Sequence, residues 1–197
     1  MKKIQWKGGA LLAPVPPAMV TCGSMEQPNV LTIAWTGIIN TIPPKTYISV
    51  RPSRFSYPMI KESGEFVINL TTASMIRAAD FCGVRSGREL DKFEACGLEI
   101  EEGFTVSAPV LSQSPVSLEC RVTEIIPLGS HDMFLADITA VDVDPQYLDE
   151  QGKLCLSRSH LAAFAHGEYF ELGKKIGSFG FSVRKKRKKH PGGKKRK

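Results

Sequence analysis

Apolar and polar residues alternate along several stretches of this chain. Val116, Leu118, Cys120 and Val122 hold the even positions of one of them, with Ser117, Glu119, Arg121 and Thr123 between. A period of two places the four apolar side chains on one face of a half-buried strand. Phe134, Ala136, Ile138 and Ala140 repeat the pattern, with Asp137 and Thr139 pointing the other way. The segment 127–132, with Gly129 inside it, predicts the turn of a long hairpin between the two. Further strands are expected over residues 18–25, 30–35, 46–51 and 66–70, divided by Pro28, the Pro43-Pro44 pair, Pro52 and Gly64. Six or more strands joined by short turns make this a mainly β chain and favour a closed antiparallel barrel over a doubly wound sheet.

Helical spacing is rarer. Residues 53–61 open on Ser53, a residue able to cap, and carry Phe55, Met59 and Ile60 at helical intervals. Residues 74–81 set Met75, Ala78 and Ala79 on one side, and 91–95 predict a short turn. One domain over 1–182 is expected, followed at 183–197 by a basic tail too poor in apolar residues to fold. No internal repeat is present.

Composition agrees with a packed, turn-rich domain: 42% hydrophobic residues, 13 Pro and 17 Gly among 197. The net charge of +6 changes meaning once it is located. Ten of the 26 Lys and Arg lie in the last fourteen residues, RKKRKKHPGGKKRK, which leaves 16 against 20 acidic residues and about −4 for the rest. A domain shaped for a polyanion would carry its basic residues on its own surface. The tail has no interleaved aromatic to stack on bases, so nucleic acid is expected at most as a weak, salt-dependent ligand of the tail. Cys22, Cys82, Cys96, Cys120 and Cys155 are odd in number and form no CxxC, the usage of reduced thiols in a cytoplasmic protein. No apolar run is long enough to span a bilayer. The Lys2-Lys3 start with Leu11-Leu12 is broken by Pro14, Pro16 and Pro17, so no signal peptide is expected.

The search for chemistry begins with absences. There is no GxGxxG, no GxxxxGK[ST] and no GxSxG, and His131, His160, His166 and His190 lack metal-site spacing. Polar and cationic residues gather instead at strand ends. Arg51, Ser53, Arg54 and Ser56 leave a strand and enter a helix, a sound arrangement for a phosphate monoester. On spacing alone, an ordinary capped helix with two solvated arginines takes precedence. Cys82-Gly83-Val84-Arg85-Ser86-Gly87, followed by Asp91-Lys92-Phe93, offers two glycines for close backbone approach and further anion contacts. Its plain alternative is a helix ended by Gly83. Trp35-Thr36-Gly37, at a strand end, puts an aromatic wall beside a hydroxyl.

Taken in order, these stretches resemble the flavin reductase-like, FMN-binding split-barrel family, its flavoredoxin branch in particular. The matching segments are NVLTIAWTG from Asn29, Pro43-Pro44, ISVRPSRFS from Ile48, GEFVINL from Gly64 and CGVRSG from Cys82 through Asp91-Lys92-Phe93. His166-Gly167-Glu168-Tyr169, Leu172-Gly173 and Gly177-Ser178-Phe179-Gly180 look like its closing segment. The resemblance spans about residues 10–182. It implies a Greek-key split barrel and a homodimer with FMN near the interface. Thr32, Trp35, Thr36 and Gly37 would border the flavin ring. Arg51, Ser53, Arg54 and Ser56 would hold ribityl and phosphate, with Ser86 and Lys92 and beside Cys82 and Gly83. His166 matches a histidine near the flavin, where it would help to place the nicotinamide or a proton; a hydrogen-bonded loop histidine is the equal alternative. NAD(P)H is the implied hydride donor, and free flavin, a ferric complex or a redox protein the acceptor. The hard chemistry is then the flavin's, which accounts for the missing nucleophile. A non-catalytic FMN electron carrier is the alternative on the same fold.

Overall fold

The period-two segments form strands, and their order in the sheet decides the shape. The computed structural model describes residues 1–184. The basic tail expected over 183–197 lies, from residue 185 on, outside the described residues.

The strands are β1 (Ala18–Gly23), β2 (Pro28–Ile33), β3 (Thr36–Thr41), β4 (Pro44–Val50), β5 (Glu65–Asn69), β6 (Ile100–Glu101), β7 (Val110–Leu111), β8 (Val116–Pro127), β9 (Asp132–Val143), β10 (Ala162–Ala165) and β11 (Glu168–Glu171). Seven of them make one antiparallel sheet in the order β2-β1-β5-β8-β9-β4-β3. Its two edge strands, β2 and β3, are consecutive in the chain and separated only by Ala34 and Trp35. So short a link forces the sheet to curl until its edges meet. At the link the Ser49 N–H donates to the Trp35 carbonyl at 2.9 Å, which carries the β3–β4 pairing one position past Thr36 opposite Ile48. The result is a barrel split along β2 and β4.

Inward-facing Ala18, Val20, Leu31, Ile48, Phe66 and Phe134 fill the barrel. Phe66 and Phe134 are wholly buried, and truncating either to Ala would cost about 3–5 kcal/mol. Outside the barrel, α2 (Ile76–Val84) and α3 (Lys92–Cys96) cover β1 and β2. Met75, Ala79, Cys82 and Phe93 pack there on Met19 and Val30, as the spacing of Met75, Ala78 and Ala79 predicts. Asp91 caps α3, accepting from the N–H of Phe93 at 2.8 Å and of Glu94 at 3.2 Å.

Several local expectations are corrected. Trp35 does not end a strand; it bridges two, and Thr36-Gly37 begin β3, which the sequence pattern did not announce. Ser53 caps nothing: it sits in a turn closed by the Arg54 N–H on the Arg51 carbonyl at 3.0 Å, and α1 (Ser56–Ser63) starts later with no side-chain cap. Gly83 is neither in a loop nor a terminator, because α2 runs through it to Val84. It faces β2, and a Cβ there would meet Thr32 Cβ at an ordinary contact distance of 3.4 Å. On β8 the polar face is covered too, so Ser117 and Glu119 are buried.

Candidate functional site

The split between β2 and β4 opens into two adjoining clefts that share Leu31, Arg51 and Arg54. The first, about 260 Å³, is walled by Thr32 and Ile33 at the end of β2, by Ala34 and Trp35 after it and by Ser49 and Val50 at the end of β4, with His131 reaching in from the β8–β9 turn. The second, about 340 Å³, lies between the start of α1 and the α2–α3 connection. Ser53, Phe55 and Ser56 line one side of it; Cys82, Arg85, Ser86, Gly87, Arg88 and Lys92 line the other.

The second cleft is built for an anion. Lys92 is buried, 4% exposed, and its ammonium makes one contact, 3.4 Å to the Cys82 carbonyl. Burial pulls its pKa down; the thiols of Cys82 and Cys22 oppose that, and Arg54 adds to it. A buried ammonium with two donors unused is costly unless an acceptor arrives. The rim supplies Arg51, Arg54, Arg85 and Arg88, with Arg85 paired to Glu89 at 3.2 Å and Arg88 lying 5.6 Å over the Phe55 ring. The Ser56 hydroxyl accepts from Asn29 Nδ2 at 2.6 Å, which fixes its orientation. The Ser86 hydroxyl accepts from the Arg88 N–H at 3.3 Å, leaving its own proton for a ligand. Gly87 is needed for packing: a Cβ there would overlap the Asn29 side-chain oxygen and fall 2.8 Å from Phe55 Cδ1.

The first cleft has a different character. The Thr32 hydroxyl is shut from solvent without a hydrogen-bond partner, and Trp35 shows 37% of its surface. A flat ligand with polar edges would satisfy the one and cover the other. An anion site beside a ring-shaped slot matches the two ends of FMN, so the residues present fit that cofactor.

Of the residues singled out by sequence, the structure brings together Thr32, Trp35, Arg51, Ser53, Arg54, Ser56, Cys82, Ser86 and Lys92. Thr36 and Gly37 lie outside both clefts, bound to β4 through the Thr36 hydroxyl on the Tyr47 carbonyl (2.5 Å) and the Thr46 hydroxyl on the Gly37 carbonyl (3.0 Å). Gly83 lies inside α2, outside both clefts, facing Thr32. His166 stands at the tip of the β10–β11 hairpin with φ +51° and lines a third, mostly apolar cleft of about 350 Å³, in which Trp35 is the wall shared with the first. Sequence reasoning missed His131 and Arg88. His131 is 80 residues from Arg51, and only the pairing of β4 with β9, Val50 opposite Asp132, brings it there. Among the described residues no group of three or more His, Cys, Asp or Glu is placed to hold a metal, and no helix is long and apolar enough to cross a membrane.

Known proteins share this arrangement of strands. The flavoredoxin of Desulfovibrio vulgaris (Miyazaki F) superposes with a TM-score of 0.85 at 28% identity, over 93% of this chain and 100% of that one. Flavoredoxin from Methanosarcina acetivorans gives 0.84 at 25% identity with the same coverage, 93% and 100%. A protein of Aeropyrum pernix is 30% identical over 132 residues, 66% of this chain and 50% of the relative, so the chain spans half the length of that relative. The family model described as "Flavin reductase like domain" matches residues 11–173. The chain belongs to the flavin reductase-like domain family.

Proposed function

We propose that this chain binds FMN, with the phosphate in the Lys92 cleft and the ring in the Thr32–Trp35 cleft, and works as an NAD(P)H-dependent oxidoreductase. The observation that carries the reading is the Lys92 ammonium, buried in a cleft rimmed by four arginines and with a single long contact. Arg51, Arg54, Ser56 and Ser86 would complete the grip on ribityl and phosphate, the two arginines through charge-assisted bonds. The Thr32 hydroxyl would bond a polar edge of the ring, and Trp35 would keep water from that edge. Bound FMN supplies the exchange of a hydride for electrons that leave singly or in pairs. The chain's part is to orient the donor: Trp35 and His166 border the neighbouring apolar cleft, where a nicotinamide would lie within reach of the imidazole. Free flavin, a ferric complex or a redox protein is the acceptor in this reading. Ile38 and Ile39 on β3 and Ile42 in the turn after it are exposed, in keeping with a homodimer, which sedimentation equilibrium would test.

The test is spectroscopic. Purified protein should carry or take up FMN with the visible absorption of a flavin, and anaerobic NADH or NADPH should bleach it within seconds. A protein that takes up no FMN overturns the reading. One that takes it up and is bleached by neither nucleotide is an electron carrier, the alternative that the flavoredoxin likeness favours.

A further inference from the structure

We propose that His131 is a flavin-contacting residue that takes up a proton when FMN binds, so that FMN affinity depends on pH through this side chain. The inference rests on the FMN reading above and adds a residue and a linkage to it. Among the residues lining the two clefts, His131 carries the one imidazole.

Its position is held from several sides. The pairing of Val50 with Asp132 sets the β8–β9 turn beside the end of β4, where Arg51 begins. The Tyr57 hydroxyl donates to Asp132 Oδ2 at 2.5 Å, which ties the base of the turn to α1. The Leu128 N–H closes the turn on the His131 carbonyl at 2.9 Å. Ser130 Oγ and His131 Nδ1 are 2.9 Å apart, so Nε2 is the nitrogen without a protein partner among the described residues.

The charges around it decide what a ligand does to its protonation. Arg51 and Arg54 face it from the segment between β4 and α1, and Asp132, the carboxylate on its own turn, is engaged by Tyr57. Burial first, then Arg51 and Arg54, hold the imidazole below its ordinary value, which leaves it neutral at pH 7. A phosphate set between the same arginines would cancel their field and add its own negative charge. The imidazole then gains proton affinity, and linkage requires that proton and FMN favour each other's binding. Affinity therefore strengthens as pH falls between the pKa values of the free and bound forms. The FMN phosphate itself loses charge near pH 6, an opposing effect common to any variant, so a ratio of variant to native protein isolates the imidazole.

The experiment measures FMN dissociation constants of native protein and His131→Gln by flavin fluorescence from pH 8.5 to 5.5. The ratio of variant to native constants is expected near one at pH 8.5 and about tenfold by pH 5.5, the equivalent of one pKa unit. Proton NMR of the imidazole in the native protein gives a second readout free of any folding defect: FMN should move the His131 titration upward. A flat ratio, or a titration unmoved by FMN, overturns the inference and leaves the FMN reading intact. Failure of the native protein to bind FMN overturns the reading itself, and the inference with it.

Discussion

The side chains of Glu119 on β8 and Asp142 on β9 lie against each other on the outer face of the barrel, and only Glu119 has donors. Glu119 accepts from the N–H groups of Phe104 (2.6 Å), Thr105 (2.5 Å) and Val106 (3.0 Å) and from the Thr105 hydroxyl (2.5 Å). Burial pushes its carboxyl up, but the Thr105 hydroxyl and the three N–H groups outweigh that and hold it below the usual carboxylate range. Both oxygens of Asp142 are closed off without a partner, and burial, then the Glu119 charge, pushes its carboxyl up to about 6. Asp142 is thus the member that keeps its proton in mild acid and donates it to Glu119. A carboxyl whose folded pKa exceeds its unfolded one stabilises fully below the unfolded value, near 4, and loses that contribution as pH rises through about 6. Asp142→Asn keeps a donor and drops the charge. It is expected to raise the Tm by about 2–4 °C at pH 7.5, the equivalent of about 1 kcal/mol, and to leave it unchanged at pH 4.5. Calorimetry at both values checks this; an equal gain at both would contradict the pairing.

The anion cleft makes a claim about ligand discrimination. Arg54 lines both clefts and borders Lys92. A charge-assisted bond to phosphate is worth about 1.5–3 kcal/mol. Arg54→Ala should therefore weaken FMN by about 10–100-fold while changing riboflavin affinity little. Equal losses for both ligands would place the phosphate elsewhere.

How much of this was legible in the sequence follows from what kind of interaction sets each feature. The long hairpin was readable because Val116, Leu118, Cys120 and Val122 obey a local period. β3 was not: Thr36–Thr41 has no alternating pattern, since it is an edge strand held by backbone pairing to β4 and left largely uncovered. Ser53 failed as a cap because the Arg51–Arg54 turn delays the helix. Glu119 looked like a solvent-facing position until the segment 103–108 folded over it. His131 could not be placed beside Arg51 by any local rule, because β-sheet register alone joins them.

Thiol reactivity separates two classes of cysteine. Cys22, Cys82 and Cys120 are buried, whereas Cys96 and Cys155 are half-exposed. Burial pushes Cys22 up to about 11; burial, then the Cys96 thiol, pushes Cys82 up to about 12; burial also pushes Cys120 upward. Reaction needs the thiolate and access to it. Ellman's reagent at pH 8 should modify two thiols of the native protein quickly, identified by peptide mapping as Cys96 and Cys155, and all five after unfolding. Fast modification of Cys82 in the native state would be incompatible with this packing.

Gly83 and Gly87, four residues apart in the same motif, should behave oppositely. A Cβ on Gly87 collides with Phe55 and with Asn29, which holds the Ser56 hydroxyl, whereas a Cβ on Gly83 meets Thr32 at an ordinary 3.4 Å inside a helix. Gly87→Ala is expected to cost about 1–3 kcal/mol of stability and to weaken FMN. Gly83→Ala is expected to be neutral or to stabilise by up to about 1 kcal/mol, as helical Gly-to-Ala changes do. Urea unfolding of both variants decides the order.

The unpartnered hydroxyl of Thr32 yields a prediction in which stability and binding move in opposite directions. Shut from solvent and without an acceptor or donor in the protein, this hydroxyl costs the ligand-free fold about 1–3 kcal/mol. Thr32→Val replaces it with a methyl group of similar size and removes that cost, so ligand-free protein should unfold at a higher urea concentration. The same change deletes the bond that a ring edge would make in the first cleft, so FMN should bind more weakly, by about tenfold for a bond near 1.4 kcal/mol. Riboflavin should lose as much as FMN, unlike the Arg54 case, because the ring and not the phosphate is concerned. A structural hydroxyl that never meets the ligand would leave both affinities unchanged, and a loss confined to FMN would put the phosphate, not the ring, beside Thr32.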